Sequence, residues 1–398
     1  MTREAISAKG AAHRVHGLDG SWADGDWPAW TSAEVDDLLR DYDGLGRVVE
    51  ITAVSPRPFS AAACVRTTEA SVFVKRHSRA VRRAAWLAEE HRFAEWLAAR
   101  TPLVMPPLQT RSGHTAVERS EWVSEAFPIA PGRDLYAQAM SWTPYLCVEH
   151  ARAAGIALGQ LHVAAREFAA PARSTAPLVT SFSLIPATNA TAAFHAYLAA
   201  RPVLAHWLSA RNAEADFARC FVPHHQSMQH QGLLTAGQAL RPLWTQNDWH
   251  GSNLMWSNLP CSGESADARV TAVIDFGLAD RTCAAHDVAT ALERSIIDWI
   301  RLSGRMQANL EQAAALLAGY EEVVRLTKHE RRAIAAMLPI VHCEFALSET
   351  DYFLTVLRDE ARAQLAWQEY FVGHCEWFET AEGRRLMDWM QAWAVGDR

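Results

Sequence analysis

The chain is predicted to be an α+β protein with two lobes: a small N-terminal lobe with an antiparallel sheet plus one helix, and a large, mainly helical C-terminal lobe. Three observations carry this prediction. Short apolar runs of β type, separated by tight turns, crowd into 48–75 and recur at 115–127. Helical periodicity takes over from about residue 143 and runs to the C-terminus. A single hairpin-like segment at 244–277, with a polar excursion at 257–268, interrupts those helices. At 398 residues the chain is long enough for two such lobes, each with its own core.

The elements follow in order. Residues 1–45 read as an N-terminal extension, of which 1–30 hold Gly, Asp and Trp without periodicity. Thr31-Ser32-Ala33-Glu34 is a capping box, and Val35, Leu38 and Leu39 follow at helical spacing, so a short helix is expected over 31–42. Asp43-Gly44-Leu45-Gly46 turns the chain. The N-lobe, 46–128, then holds strands at 48–54, 62–66 and 71–75, a helix at 79–99, and strands at 115–118 and 121–127. The stretch 128–132, with Pro128, Pro131 and Gly132, reads as a hinge into the C-lobe, 129–398. There 148–166 is an amphipathic helix, 171–240 are helical stretches broken by Pro and His, and 286–398 are helical again.

Composition excludes several classes. A net charge of −7 argues against a primary nucleic-acid partner. No run approaches the roughly 18–20 apolar residues of a membrane span, and the N-terminus has no apolar core of a signal peptide. Seven scattered cysteines without a Cys-x-x-Cys pair read as reduced thiols, hence the cytoplasm. The sixteen tryptophans read as core and pocket walls. Oligomeric state is not legible.

The candidate site residues carry a consistent chemistry. Alternation in the strand 71–75 puts Phe73 and Lys75 on one face, and a lysine there calls for an anionic partner. On the following helix Glu90 falls in the same stripe as Trp86, Phe93 and Leu97. A buried acid needs a partner, and Lys75 is the natural one, leaving its amine to hold nucleotide phosphates. Asp248 and Asn253 bracket a turn containing Gly251 and Ser252, and Asp275 ends the apolar run 270–274. Asp248 reads as the carboxylate that addresses an acceptor hydroxyl, with Asn253 and Asp275 as oxygen ligands for Mg2+. His250 reads as scaffold, His162 as a satisfied core histidine, and Asp287 as a helix cap or a brace for the loop. Glu344, Glu349 and Asp351 read as a solvated helical face or as a grip for an amine.

At these residues the chain resembles the aminoglycoside phosphotransferase and choline kinase-like superfamily, which has the protein-kinase-like fold. That superfamily carries His-Gly-Asp-Leu-His-x-Gly-Asn and then Ile-Asp-Phe or Ile-Asp-Trp. Here the stretches are Gln246-Asn247-Asp248-Trp249-His250-Gly251-Ser252-Asn253 and Ile274-Asp275-Phe276. The strand lysine matches Lys75, the helix glutamate Glu90, and the Asp-Leu-Ala helix start Asp287-Val288-Ala289. The resemblance covers about 46–130 and 150–295. It implies a nucleotide-binding N-lobe, a C-lobe with a helical acceptor-binding region, ATP or GTP with Mg2+, and transfer of the γ-phosphate to a hydroxyl. The chain departs from the pattern at Gln246 and Asn247, and in the glycine-free turn 55–61, where Arg57 or Ser60 would replace backbone amides as phosphate donors. Only twelve positions separate Asp275 from Asp287, too few for a polypeptide-docking segment, which points to a small hydroxylated acceptor such as an antibiotic, an amino alcohol or a sugar. The alternatives are a protein Ser/Thr kinase, a nucleotide-binding pseudokinase and, last, a metal-dependent hydrolase using His224, His225 and His230 with Asp248 and His250.

Overall fold

The structure is a computed structural model that describes residues 25–55, 59–174, 177–234, 240–257, 268–300 and 306–396. Most of the extension 1–30, Arg57 and most of the excursion 257–268 lie outside the described residues. The chain divides into two compact units, Met1–His91 with Pro106–Ile129, and Arg92–Met105 with Ala130–Arg398.

In the first unit, α1 (Ser32–Leu39) begins at Thr31, whose side chain and that of Glu34 cap each other's backbone N–H groups. The sheet has strands β1 (Val48–Val54), β2 (Ala61–Thr67), β3 (Ser71–Ser78), β4 (Val117–Arg119) and β5 (Trp122–Pro128). They lie in the order β1-β2-β3-β5-β4, every pair antiparallel. Val35, Leu38 and Leu39 of α1 pack on Val65, Val72, Val74 and Ala126 of the sheet. Strand β3 runs three residues past its expected end because the buried side chains of Arg76 and His77 find partners. The Arg76 guanidinium lies 4.5 Å from the ring centres of both Trp30 and Trp122 and pairs with Glu34 at 2.7 Å. Helix α2 (Ala84–Ala98) follows β3.

In the second unit the segment expected to be one hairpin is two nested ladders. Strand β6 (Pro242–Thr245) pairs with β9 (Asp280–Cys283), and inside them β7 (Leu254–Trp256) pairs with β8 (Val270–Val273). The loop 246–253 and the turn 274–279 are the two connections between the inner and outer ladders, so the topology itself puts Asp248, Asn253 and Asp275 together.

Helix α3 (Val148–Ala165) precedes α4 (Ala190–Ala199), α5 (Pro202–Ser209), α6 (Ala213–Cys220) and α7 (Val222–His230). After β9 come α8 (Ala284–Ile296), α9 (Leu310–Val323), α10 (Lys328–Met337), α11 (Cys343–Tyr352), α12 (Glu360–Leu365), α13 (His374–Phe378) and α14 (Ala381–Val395). The π-helical turns Phe353–Leu357 and Ala366–Gly373 flank α12. Helices α3 and α9 pack backbone to backbone: a Cβ on Gly155 would sit 2.0 Å from the Leu316 carbonyl oxygen, and one on Gly319 2.1 Å from that of Arg152.

Two sequence expectations are corrected. Every residue of α11 is buried, so Glu344, Glu349 and Asp351 are not on a solvated face. Cys147 is disulfide-bonded, so the cysteines are not uniformly reduced, although Cys64, Cys220, Cys283, Cys343 and Cys375 are free. Among the described residues no helix is long and apolar enough to cross a membrane.

Candidate active site

The loop after β6 is held by its own side chains. Gln246 Oε1 accepts the Asp248 backbone N–H at 2.7 Å, while its Nε2 donates to the Asp275 carbonyl at 2.8 Å. One amide thereby ties the Asp248 loop to the Asp275 turn. Asn247 adopts the left-handed conformation (φ 61°), and its side-chain amide donates to the carbonyls of Thr245 and Leu278. Sequence reasoning flagged these two positions only as departures. In the structure they are the braces.

Asp248 is the one carboxylate of the loop 246–253, and it has several partners. Asn253 Nδ2 donates to its Oδ2 at 3.0 Å and to its carbonyl at 2.9 Å. Both bonds use the amide nitrogen, so neither occupies Asn253 Oδ1. Oδ1 of Asp248 lies 3.4 Å from His250 Nε2, and His250 Nδ1 is 2.8 Å from the Ser252 hydroxyl. Gly251 is required by close packing: a Cβ there would come within 2.5 Å of the Tyr136 ring. Across the inner ladder the Ile274 N–H donates to the Asn253 carbonyl at 2.9 Å. Asp275 follows at φ 56°, in the left-handed region that costs a non-glycine residue energy, and its Oδ1 accepts the Gly277 N–H at 3.1 Å.

Asp287 is not the cap of α8. The N-cap is Cys283, and Asp287 lies one turn inside the helix. Its buried carboxylate accepts the backbone N–H groups of Asn247 at 2.8 Å and Gln246 at 3.2 Å, and meets His162 Nε2 at 3.0 Å. His162 Nδ1 is 2.9 Å from the Tyr320 hydroxyl.

One partner was missed altogether. Arg294, buried in α8, donates to Asp248 Oδ1. Its Cζ lies 4.9 Å from the Trp142 ring centre and 4.8 Å from that of Phe345. The signal was present: Glu293-Arg294 follows the mostly apolar stretch Val288–Leu292 and precedes Ile296-Ile297, a setting like that of Glu90. Asn247, His286, Thr290, Glu293, Arg294 and His342 line a cavity of about 10 Å3, room for one water.

In the first unit Lys75 and Glu90 are both buried. Phe73 is half-buried opposite Phe127 in the ladder, and Ser60 is half-buried just before β2, beyond the Ser55 N–H to Ala62 carbonyl bond at 2.8 Å. Sequence reasoning missed Glu125, which lies opposite Lys75 in the β3–β5 register. Burial alone would raise its pKa, yet hydrogen bonds with His77 (3.2 Å) and His91 (2.6 Å) hold it well below the usual range.

The acidic group of α11 is divided. Glu344 accepts from both hydroxyls of Ser181 and Ser183 and from the N–H groups of Ser183 and Leu184, so it fastens a loop. Asp351 lies 3.8 Å from Arg201. Burial pushes Glu349 up to about 8, against the pull of Arg294. Two of the histidines considered for a hydrolase are otherwise engaged: His225 Nε2 is 2.8 Å from the Ala187 carbonyl, and His224 faces Glu379.

A family model described as the phosphotransferase enzyme family matches residues 56–334. Among solved structures, a microcompartment-associated aminopropanol kinase aligns at 16% identity with a TM-score of 0.56, covering 89% of this chain and 100% of that one. An amicoumacin kinase in complex with AMP-PNP, Ca2+ and Ami aligns at 11% identity with a TM-score of 0.51, covering 85% and 92%. Likeness at these identities shows a shared fold. A comparison with curated proteins gives no match.

Proposed function

The chain belongs to the phosphotransferase enzyme family, and on that premise we propose that it transfers the γ-phosphate of ATP or GTP to a hydroxyl of a small molecule, with Mg2+. The observation that supports this most is the convergence of Asp248, Asn253 and Asp275 on two connections joined by Gln246. Asp248 receives the hydrogen bond of the acceptor hydroxyl and takes its proton as the new O–P bond forms. Its oxygens retain lone pairs for this after accepting from Arg294 and Asn253.

The donor set fits magnesium. Asn253 presents an amide oxygen because its Nδ2 is committed to Asp248, and Asp275 adds a carboxylate, both hard oxygen ligands. Bound there, the ion would neutralise charge on the transferred phosphoryl group. In the first unit, Lys75 is assigned to the nucleotide phosphates with Glu90 as its ion-pair partner, and Phe73 and Ser60 to nucleotide contact. His250 and Asp287 support the loop.

The proposed acceptor class is supported by the short stretch between Asp275 and Asp287 and agrees with the names of the two structural relatives, an aminopropanol kinase and an amicoumacin kinase. An amino alcohol, an aminoglycoside-like antibiotic or a sugar fits this reading. A cytoplasmic location, where ATP is available, belongs to the same proposal. The glycine-free turn before β2 favours one second reading, a pseudokinase that binds nucleotide without turnover.

The test is a transfer screen with ATP labelled in its γ-phosphate against amino alcohols, aminoglycosides, other antibiotics, sugars and a Ser/Thr protein mixture. Label on a small hydroxylated molecule supports the proposal. Label on protein alone would make the chain a protein kinase, and Mg·ATP binding without any transfer would make it a pseudokinase.

A further inference from the structure

Among the helices of the second unit, Glu293 of α8, His342 at the start of α11 and His374 at the start of α13 bring three ligand-type side chains together. One carboxylate oxygen and two imidazole nitrogens lie within 4.8 Å of one another. All three residues are buried. His374 Nδ1 is 3.0 Å from Glu293 Oε1, and His342 Nδ1 is 3.6 Å from Glu293 Oε2. Close as these contacts are, neither Glu293 oxygen and neither His342 nitrogen has a hydrogen bond of acceptable geometry. A buried carboxylate without hydrogen bonds is costly. In the comparable group in the first unit, Glu90, His91 and Glu125, both oxygens of Glu125 are hydrogen-bonded to histidines, whereas Glu90 Oε2 is buried without a hydrogen bond.

We propose that Glu293, His342 and His374 bind one divalent transition-metal ion, Zn2+ foremost, through a carboxylate oxygen and two imidazole nitrogens. The donor set is one that such ions favour. With metal–ligand bonds of about 2.0–2.1 Å, the edge of a tetrahedron is about 3.3 Å; the 3.0 Å between His374 Nδ1 and Glu293 Oε1 is near it, and His342 Nδ1 lies 3.6 Å from the other carboxylate oxygen, Oε2. The rings are held in place by aromatic neighbours. Trp299 stacks on His374 with centroids 3.7 Å apart, and Trp142 meets His342 edge-on at 4.7 Å. The π-helical turn Ala366–Gly373 ends at His374 and re-aims it relative to a regular helix, a feature often retained at functional sites. The one-water cavity reaches Glu293 and His342, which supplies a fourth ligand. The ion would clip α8, α11 and α13 beside Arg294, the residue that holds Asp248.

The test uses the full chain without an affinity tag, stripped with chelator and titrated with Zn2+ in competition with a chromophoric chelator. One equivalent is expected to bind, and His342→Ala or Glu293→Gln is expected to weaken it by about 100-fold or more. Wild-type protein that takes up no Zn2+, or variants that bind as tightly as wild type, would overturn the proposal. Circular dichroism reports whether the variants fold. If they do not, X-ray absorption at the zinc edge of the wild-type protein decides: imidazole and oxygen ligands are expected, and sulfur ligation would place the ion at cysteines and overturn the proposal.

Discussion

Arg294 donates to the same carboxylate that is assigned to receive the acceptor's proton, Asp248. The arginine side chain is 2% exposed and the aspartate 20%. Burial draws Arg294 down to about 9, opposed by Glu349, so it carries its charge at neutral pH. Burial pushes Glu349 up to about 8, and the carboxylate that meets Arg294 in an ion pair is Asp248. Fixing Oδ1 orients the whole group, while Oδ2 accepts from Asn253.

Removing that anchor should affect turnover more than nucleotide binding. Arg294→Met is expected to lower kcat at least about tenfold, with the KM for ATP nearly unchanged, because the interaction aligns a catalytic group without touching the nucleotide. It should also cost about 3–5 kcal/mol of stability, the usual penalty for breaking one side of a buried pair. Steady-state ATP hydrolysis and urea denaturation measure the two effects. Unchanged kcat would mean that Arg294 is structural only.

Asp287→Ala removes the acceptor of two backbone amides and one histidine nitrogen. Each bond to a charged acceptor is worth about 1.5–3 kcal/mol. A loss of at least about 3 kcal/mol in denaturant unfolding is therefore expected, with Asp287→Asn milder because an amide oxygen still accepts. Equal stability of all three proteins would show that the loop is braced elsewhere.

His286 gives a pH dependence with a definite sign. Burial lowers its pKa from 6.5 to about 4, only partly opposed by Asp287. The folded state therefore binds fewer protons than the unfolded state between these values. The stability His286 contributes is fully present above about 6.5 and is lost as pH falls through the window to about 4, on the order of 3 kcal/mol in total. His286→Gln should flatten the acid limb of a stability–pH curve over that window. A variant as acid-sensitive as wild type would contradict the shift.

Local signals made much of the first unit legible. The Thr31–Glu34 box marked α1, and apolar runs with turns located every strand within a few residues. Partners distant in sequence were harder to foresee. Strand β3 continues because of Glu34 and Glu125, 42 and 48 residues away from Arg76 and His77. The nesting of β6–β9 around β7–β8 depends on pairing across 35 residues, which no local pattern encodes. At the site, Asp-x-x-x-x-Asn and the Asp after an apolar strand are short-range signatures and were readable. Arg294 was not, although a charged pair inside an apolar helix called for the same question as Glu90. The solvated reading of α11 failed because Glu344 is held by Ser181 and Ser183 and Asp351 lies beside Arg201, all from other segments, while burial raises the pKa of Glu349.

The central claim, that Asp248 takes the acceptor's proton, is tested most directly by Asp248→Asn, measuring Mg·ATP affinity and turnover on the same preparation. The account predicts a fall in kcat of roughly 100-fold or more with nucleotide affinity retained. Turnover equal to wild type, with the substitution verified and the protein folded, would contradict it.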